Sequence, residues 1–291
     1  MKNLISALIA MLLSLVSATA IAQSTAAVTV TGWGMRYGGK VIYRYQVRNS
    51  SPALITSVLI GHFSSVDADR AELSVPPRLA SPTFWVPTDA AARPSGWGVL
   101  IRYEDESSNF SLEWVEAAYF KKMWPSAQQR PESPISTPGN VGIPPGATWD
   151  NFSVSLREAD PGYVTGHATI DYGDEYINVP IQKGDTLAPT LALSVERVNQ
   201  NDGNGNWAIF DVRASASDNY DPGPTLDFAP VTANQPIRAG DVSIDSKPGR
   251  WRVKLRNVQG RTYRLQVSSS DASGNKASKS FDYVVPGNGK S

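Results

Sequence analysis

Cysteine is absent from all 291 residues, which excludes disulfides, thiol nucleophiles, thiolate metal centres and lipid attachment through cysteine. Histidine is nearly absent. His62 and His167 are the only two, so imidazole catalysis has little to draw on. An excess of charge is missing as well, since 27 Lys and Arg balance 27 Asp and Glu. That balance excludes a charged disordered tail and argues against nucleic acid as a partner. Helical periodicity hardly occurs, and no apolar run beyond the N-terminus is long enough to span a bilayer. Turn formers are plentiful: 23 Gly and 21 Pro suit an all-β chain of many short strands.

The one long apolar stretch is at the start. Lys2 precedes Leu4–Val16, interrupted only by Ser6 and Ser14, and small residues follow at Ala18-Thr19-Ala20 and Ala20-Ile21-Ala22. A positive start, a short apolar run and an A-x-A site define an export signal, so residues 1–22 are expected to be removed before Gln23. The run is shorter than the ~20 apolar residues of a transmembrane helix. The expected product is a secreted protein, periplasmic or extracellular, with no membrane span.

After the signal, apolar and polar residues alternate. Val41, Tyr43, Tyr45 and Val47 form one stripe while Arg44, Gln46 and Arg48 face the other way. Similar stripes are Val99/Ile101/Tyr103, Phe152/Val154/Leu156, Val164/Ala168/Ile170, Leu191/Leu193/Val195, Phe210/Val212/Ala214, Trp251/Val253/Leu255 and Tyr263/Leu265/Val267. One dry and one wet face per strand is the pattern of antiparallel sheets packed in sandwiches. Residues 110–122 suit a helix, with Glu113 and Glu116 ahead of Lys121 and Lys122, and equally a strand through Leu112 and Trp114. The Pro-rich stretch 121–148 reads as a long loop, and Lys183–Pro189 as a domain boundary. Two β-sandwich domains in tandem are therefore expected, at 24–184 and 187–286. The first carries 13 basic and 17 acidic side chains over 23–185, the second 13 and 10 over 186–291.

About seven strands in ~100 residues is the size of an immunoglobulin-like sandwich. The second domain opens on Ala188-Pro189, continues with Ala214-Ser-Ala216-Ser-Asp218-Asn-Tyr-Asp221-Pro222 and Tyr263, and closes with Asp271-Ala-Ser-Gly-Asn275-Lys-Ala277. In these residues it resembles bacterial immunoglobulin-like and hyalin-repeat domains, over roughly a third of the chain. The resemblance implies an extracellular stalk or adhesive module without catalysis. Tyr263, at the start of the sixth strand, is placed for a tyrosine corner. The first domain resembles no family.

Four carboxylates are candidate metal ligands. In an immunoglobulin topology the B–C and F–G loops share one end, which brings Asp218 and Asp221 toward Asp271, with Asp185 arriving in the linker. Oxygen ligands from several loops suit calcium, although no cofactor is required and Asp and Asn in such loops also cap their own turns. Asp202-Gly-Asn204-Gly-Asn206 starts like a calcium loop, yet Trp207 replaces the sixth-place glycine, so a hairpin turn explains it better. Arg252, Lys254 and Arg256 form an outward basic row that suits an anionic polysaccharide, or equally a solvated edge strand.

Six of eight tryptophans lie in the first domain, and Trp85 and Trp124, in Pro-flanked loops, are the candidates for stacking on sugars. No serine-hydrolase elbow, metalloprotease helix or phosphate loop is present. Carboxylates at Glu104–Glu106, Glu113 and Glu116 leave a glycoside-hydrolase pair as the enzymatic alternative. The expected function is non-catalytic: binding or adhesion, with a glycan or extracellular protein as partner.

Overall fold

A computed structural model describes residues 27–60, 91–103, 110–123, 142–156, 159, 162–172, 175–198 and 206–286. The signal segment, His62, Trp85, Trp124, Glu104–Glu106 and the Asp202–Asn204 turn lie outside the described residues. The protein is all-β, and no helix among the described residues is long and apolar enough to cross a membrane. It divides into two compact units, one ending at Asp185, the other running from Thr186 and including Met35–Tyr37.

The first unit contains nine strands: β1 (Val28–Tyr37), β2 (Lys40–Asn49), β3 (Ile55–Ile60), β4 (Ala91–Ala92), β5 (Trp97–Tyr103), β6 (Phe110–Glu116), β7 (Thr148–Leu156), β8 (His167–Tyr172) and β9 (Glu175–Lys183). They pair in the order β4-β7-β2-β1-β9-β8-β3-β6-β5. Strand β9 is the corner. Its first part, Glu175–Pro180, pairs antiparallel with β8, and Ile181–Lys183 pairs parallel with β1. The two halves of the path pack on each other, as rings crossing between them show. Tyr45 of β2 meets Trp114 of β6 at 5.8 Å, and Phe152 of β7 meets Trp97 of β5 at 5.5 Å and Trp114 at 6.1 Å. These edge-on contacts are the preferred arrangement of aromatic quadrupoles. At the corner, Gly184 leaves room for the Trp33 ring, which an added Cβ would approach to 2.1 Å.

Residues 110–122 form both expected elements in succession. Strand β6 ends at Glu116, and a short helix, α1 (Ala117–Met123), starts at once. Glu116 is its cap, accepting from the amides of Ala118 (2.9 Å) and Tyr119 (2.8 Å), which no helical carbonyl can reach. One expected stripe is corrected. Val164 belongs to a single helical turn, α2 (Gly162–Thr165), and β8 begins only at His167. The turn delivers Tyr163 to the core, stacked on Tyr43 at 5.0 Å.

The second unit contains β10 (Thr190–Val198), β11 (Trp207–Ser217), β12 (Thr225–Phe228), β13 (Thr232–Ala233), β14 (Val242–Lys247), β15 (Arg250–Arg256), β16 (Thr262–Ser270) and β17 (Lys276–Val284). One sheet runs β10-β11-β15-β14; in the other, β16 is flanked by β12 and β13 on one side and β17 on the other. Naming the strands A to G in chain order, with β12 and β13 as a broken C, gives sheets ABED and CFG. That is the immunoglobulin constant-type arrangement. The inner faces bury Phe210, Val212, Trp251, Val253, Leu255, Leu265 and Val267. The tyrosine corner is formed: Tyr263 is fully buried, its hydroxyl donates to the Arg256 carbonyl at 2.8 Å and accepts from Arg261 at 2.9 Å.

Candidate functional site

A candidate site lies in the first unit and begins with a defect in β7. Tyr45 is opposite Phe152 and Val47 opposite Trp149, so two residues along β2 are matched by three along β7. In a regular strand Trp149 and Phe152, three apart, would point to opposite faces. The bulge puts both on the inner face and turns Asp150 and Asn151 outward, which is how bulges re-aim side chains. Trp149 reaches the rim of the core, half-buried, its ring 6.2 Å from Trp97.

Facing the bulge is the turn Pro94–Gly96, closed by Trp97 N–H donating to the Pro94 carbonyl, with Gly96 at φ 79°. Bulge and turn enclose a cavity of about 350 Å³ lined by Pro94, Ser95, Thr148, Trp149, Asp150 and Asn151. This is the lower end of ligand-sized pockets. The side chains of Ser95, Thr148, Asp150 and Asn151 form no hydrogen bond among the described residues. Two hydroxyls, an amide and a carboxylate thus surround one apolar indole, with donors and acceptors both available. Trp149 was among six first-domain tryptophans in the sequence. Only the bulge distinguishes it, and alternation alone does not show a bulge.

The expected hydrolase pair does not converge. Glu113 and Glu116 are three residues apart on β6 and face opposite sides of the sheet. Glu116 caps α1, while Glu113, also buried, accepts from the Ser57 hydroxyl at 2.7 Å.

The expected calcium ligands have separate fates. Asp221 is fully buried and saturated. It accepts from the amides of Arg36 (2.8 Å), Gly223 (3.0 Å) and Ala272 (2.8 Å) and pairs with the Arg36 guanidinium, so no lone pair is left for a metal. Asp218 caps its own turn, accepting from the amides of Tyr220 and Asp221 through Oδ1. Its Oδ2 is buried without a hydrogen-bond partner among the described residues, and one of its carboxylate oxygens lies within 4.8 Å of an Asp271 oxygen. Asp271 accepts from the Asn275 amide and side chain, at 2.8 and 2.7 Å. Asp185 is buried in the first unit, just after β9.

The basic row is not an edge. Strand β15 is interior, between β11 and β14, and its charges are exposed because they stand on the outer face of the ABED sheet. Arg252 forms a two-point pair with Asp211, at 2.8 and 3.1 Å. That hydrogen bonding holds the Asp211 carboxyl below the usual aspartate range and raises the Arg252 guanidinium. Arg256 lies 3.7 Å from Asp241, whose carboxyl is held low by the Arg238 amide and then by Arg261. Lys254 stands between Ile209 and Ser243. Arg252 and Arg256 are thus already engaged.

No protein-family model matches the sequence, and neither does any curated protein. Among solved structures, one with a detectable likeness is a chimeric titin Z1Z2 tandem functionalized with a GRGDS peptide from fibronectin. It is 14% identical, over 88% of this chain and 95% of that one, with a TM-score of 0.25. A superposition that loose assigns nothing, and the immunoglobulin-type architecture rests on strand order.

Proposed function

We propose that this is an exported, non-catalytic saccharide-binding protein in which the bulge pocket of the first unit holds the ligand and the second unit is a scaffold of the bacterial adhesive kind. The observation that carries the reading is the half-buried Trp149 ringed by four polar side chains that have no hydrogen-bond partner among the described residues. A pyranose has the matching surface, an apolar C–H face for the indole and an edge of hydroxyls for Asp150, Asn151, Ser95 and Thr148. Export is supported by the signal pattern and fits the lack of cysteine only if the core suffices for stability. The hydrolase alternative has little support, since Glu113 and Glu116 face apart and serve neighbouring groups.

The test is a glycan array followed by titration of the best hit, read by tryptophan fluorescence. The expected result is saturable binding that Trp149→Ala removes and Asp150→Asn weakens about tenfold, both variants still unfolding cooperatively. Absence of any glycan hit, or a hit indifferent to Trp149, would overturn the assignment. Hydrolysis of the bound glycan would replace it with the enzymatic one.

Calcium is a second element of the proposal, carried by the Asp218 carboxylate, which lies beside Asp271 and whose buried Oδ2 has no hydrogen-bond partner among the described residues. An ion bound only by the folded state raises its melting temperature. The expected shift between chelator and millimolar calcium is present in the natural sequence and absent in Asp271→Ala. No shift between chelator and calcium in either protein would reduce both carboxylates to turn caps.

A further inference from the structure

The outer face of the ABED sheet arranges its charges in ruled lines. Arg250 is directly opposite Arg213 on one side and Lys247 on the other, so three adjacent strands carry three cations in one row. All three are exposed, and none has a carboxylate within ion-pair distance among the described residues. The next row along the strands reads Glu196, Asp211, Arg252, Asp245. Its Arg252 and Asp211 satisfy each other, while Asp245 is exposed and unpaired among the described residues. A cavity of about 310 Å³ lies over both rows, lined by Arg213, Arg250, Lys247, Asp211, Arg252 and Asp245 among others.

Like charges directly opposite one another across a sheet are destabilising, and neighbours stand only ≈ 4.8 Å apart in that direction. Arg213 feels the charge of Asp211, which Arg252 already engages, so the three cations are at most partly offset and an external anion relieves their repulsion. We infer that this face binds an acidic polysaccharide, its carboxylate or sulfate groups along the Arg213–Arg250–Lys247 row and its hydroxyls donating to Asp245. The two rows together select that class. A phosphate-rich duplex or an anionic bilayer would press negative charge onto Glu196 and Asp245 as well. A narrow chain with acid groups on one side and hydroxyls on the other fits both rows. The site is separate from the Trp149 pocket and stands or falls independently of it.

The test measures binding of the full chain to polygalacturonate, which carries carboxylates and hydroxyls, and to polyglutamate, which carries carboxylates without hydroxyls. The expected result is that Arg213→Gln/Arg250→Gln weakens polygalacturonate at least tenfold, while Lys254→Gln leaves it unchanged. Asp245→Ala gives a test of sign. Removing a negative charge strengthens any purely electrostatic attraction, so the inference requires polygalacturonate to bind more weakly and polyglutamate more tightly. Tighter binding of both, or a loss in Lys254→Gln equal to that of the double variant, would overturn it. So would anionic vesicles or duplex DNA binding more tightly than polygalacturonate through the same arginines. Thermal unfolding of each variant establishes that it is folded; Arg213, Asp245, Arg250 and Lys254 are all exposed.

Discussion

The two units reach a β-sandwich by different means. The first fills its core with large rings, Trp97, Trp114, Tyr43, Tyr45, Phe152 and Tyr163, and interrupts its strands with a bulge, a helical turn and a strand shared between layers. The second keeps strict alternation in β15 and β16 and puts its main polar structure at the margins, in the Asp241–Arg261–Tyr263 cluster and the Arg252–Asp211 and Arg264–Asp282 pairs. Regularity fills the inside with apolar side chains, and the second unit's candidate chemistry stands on its outer face and loops. Irregularity in the first unit creates a cavity at the rim of its core.

Four measurements break or sharpen that contrast, and calorimetry resolving two transitions reads them. The largest effect belongs to Trp114→Ala. A fully buried indole touching Tyr45 and Phe152 is removed, so the first unit should lose about 3–5 kcal/mol. The second transition should not move; if both fall together, the units are not independent. Next is Tyr263→Phe, which strips one hydroxyl and leaves the Arg256 carbonyl and Arg261 short of a partner. It should cost the second unit about 1–3 kcal/mol, measured by denaturant midpoint.

Glu116→Ala should cost the first unit about 0.5–2 kcal/mol, as loss of a helix cap does, without changing any glycan affinity. An affinity change without a stability change would return Glu116 to the list of functional carboxylates. The smallest effect is acid sensitivity of the second unit. Asp211, Asp241 and Asp282 are held below their ordinary range, the first and last chiefly by hydrogen bonds from Arg252 and Arg264, Asp241 by the Arg238 amide. Groups with depressed folded pKa values contribute stability that is present above the unfolded value near 3.9 and lost as pH falls through the folded one. The second transition should therefore drop in temperature below about pH 4, and Asp241→Asn should flatten that dependence.

The same contrast explains which features the sequence reveals. Alternation is a local signal, so β2, β15 and β16 and the corner role of Tyr263 can be read from residues a few positions apart. The break at Lys183–Pro189 is equally local. The partner of Asp221 is not, because Arg36 lies 185 residues earlier and nothing in the Asp218–Pro222 loop announces a guanidinium. Nor does the basic stripe on β15 show whether its strand is interior; that depends on where β11 and β14 fall. Glu113 and Glu116 read as surface carboxylates until the strand is seen to bury both. Trp149 needs the bulge, which is a property of register between two strands and not of either alone.

The parallel pairing of β1 with β9 also has a consequence in time. Val30 and Ile181 are partners, so one flank of the first strand stays bare until a chain segment roughly 150 residues later is made. At synthesis rates of about 5–20 residues per second that wait is about 8–30 s. The β1–β2 hairpin, turning at Gly38 and Gly39 with positive φ, forms within microseconds. The earliest structure in the protein is thus a two-stranded ribbon with an open edge, which is prone to pair with other chains. Closing so distant a contact is intrinsically slow. Refolding from denaturant should accordingly show the first unit lagging the second, with losses that grow with protein concentration.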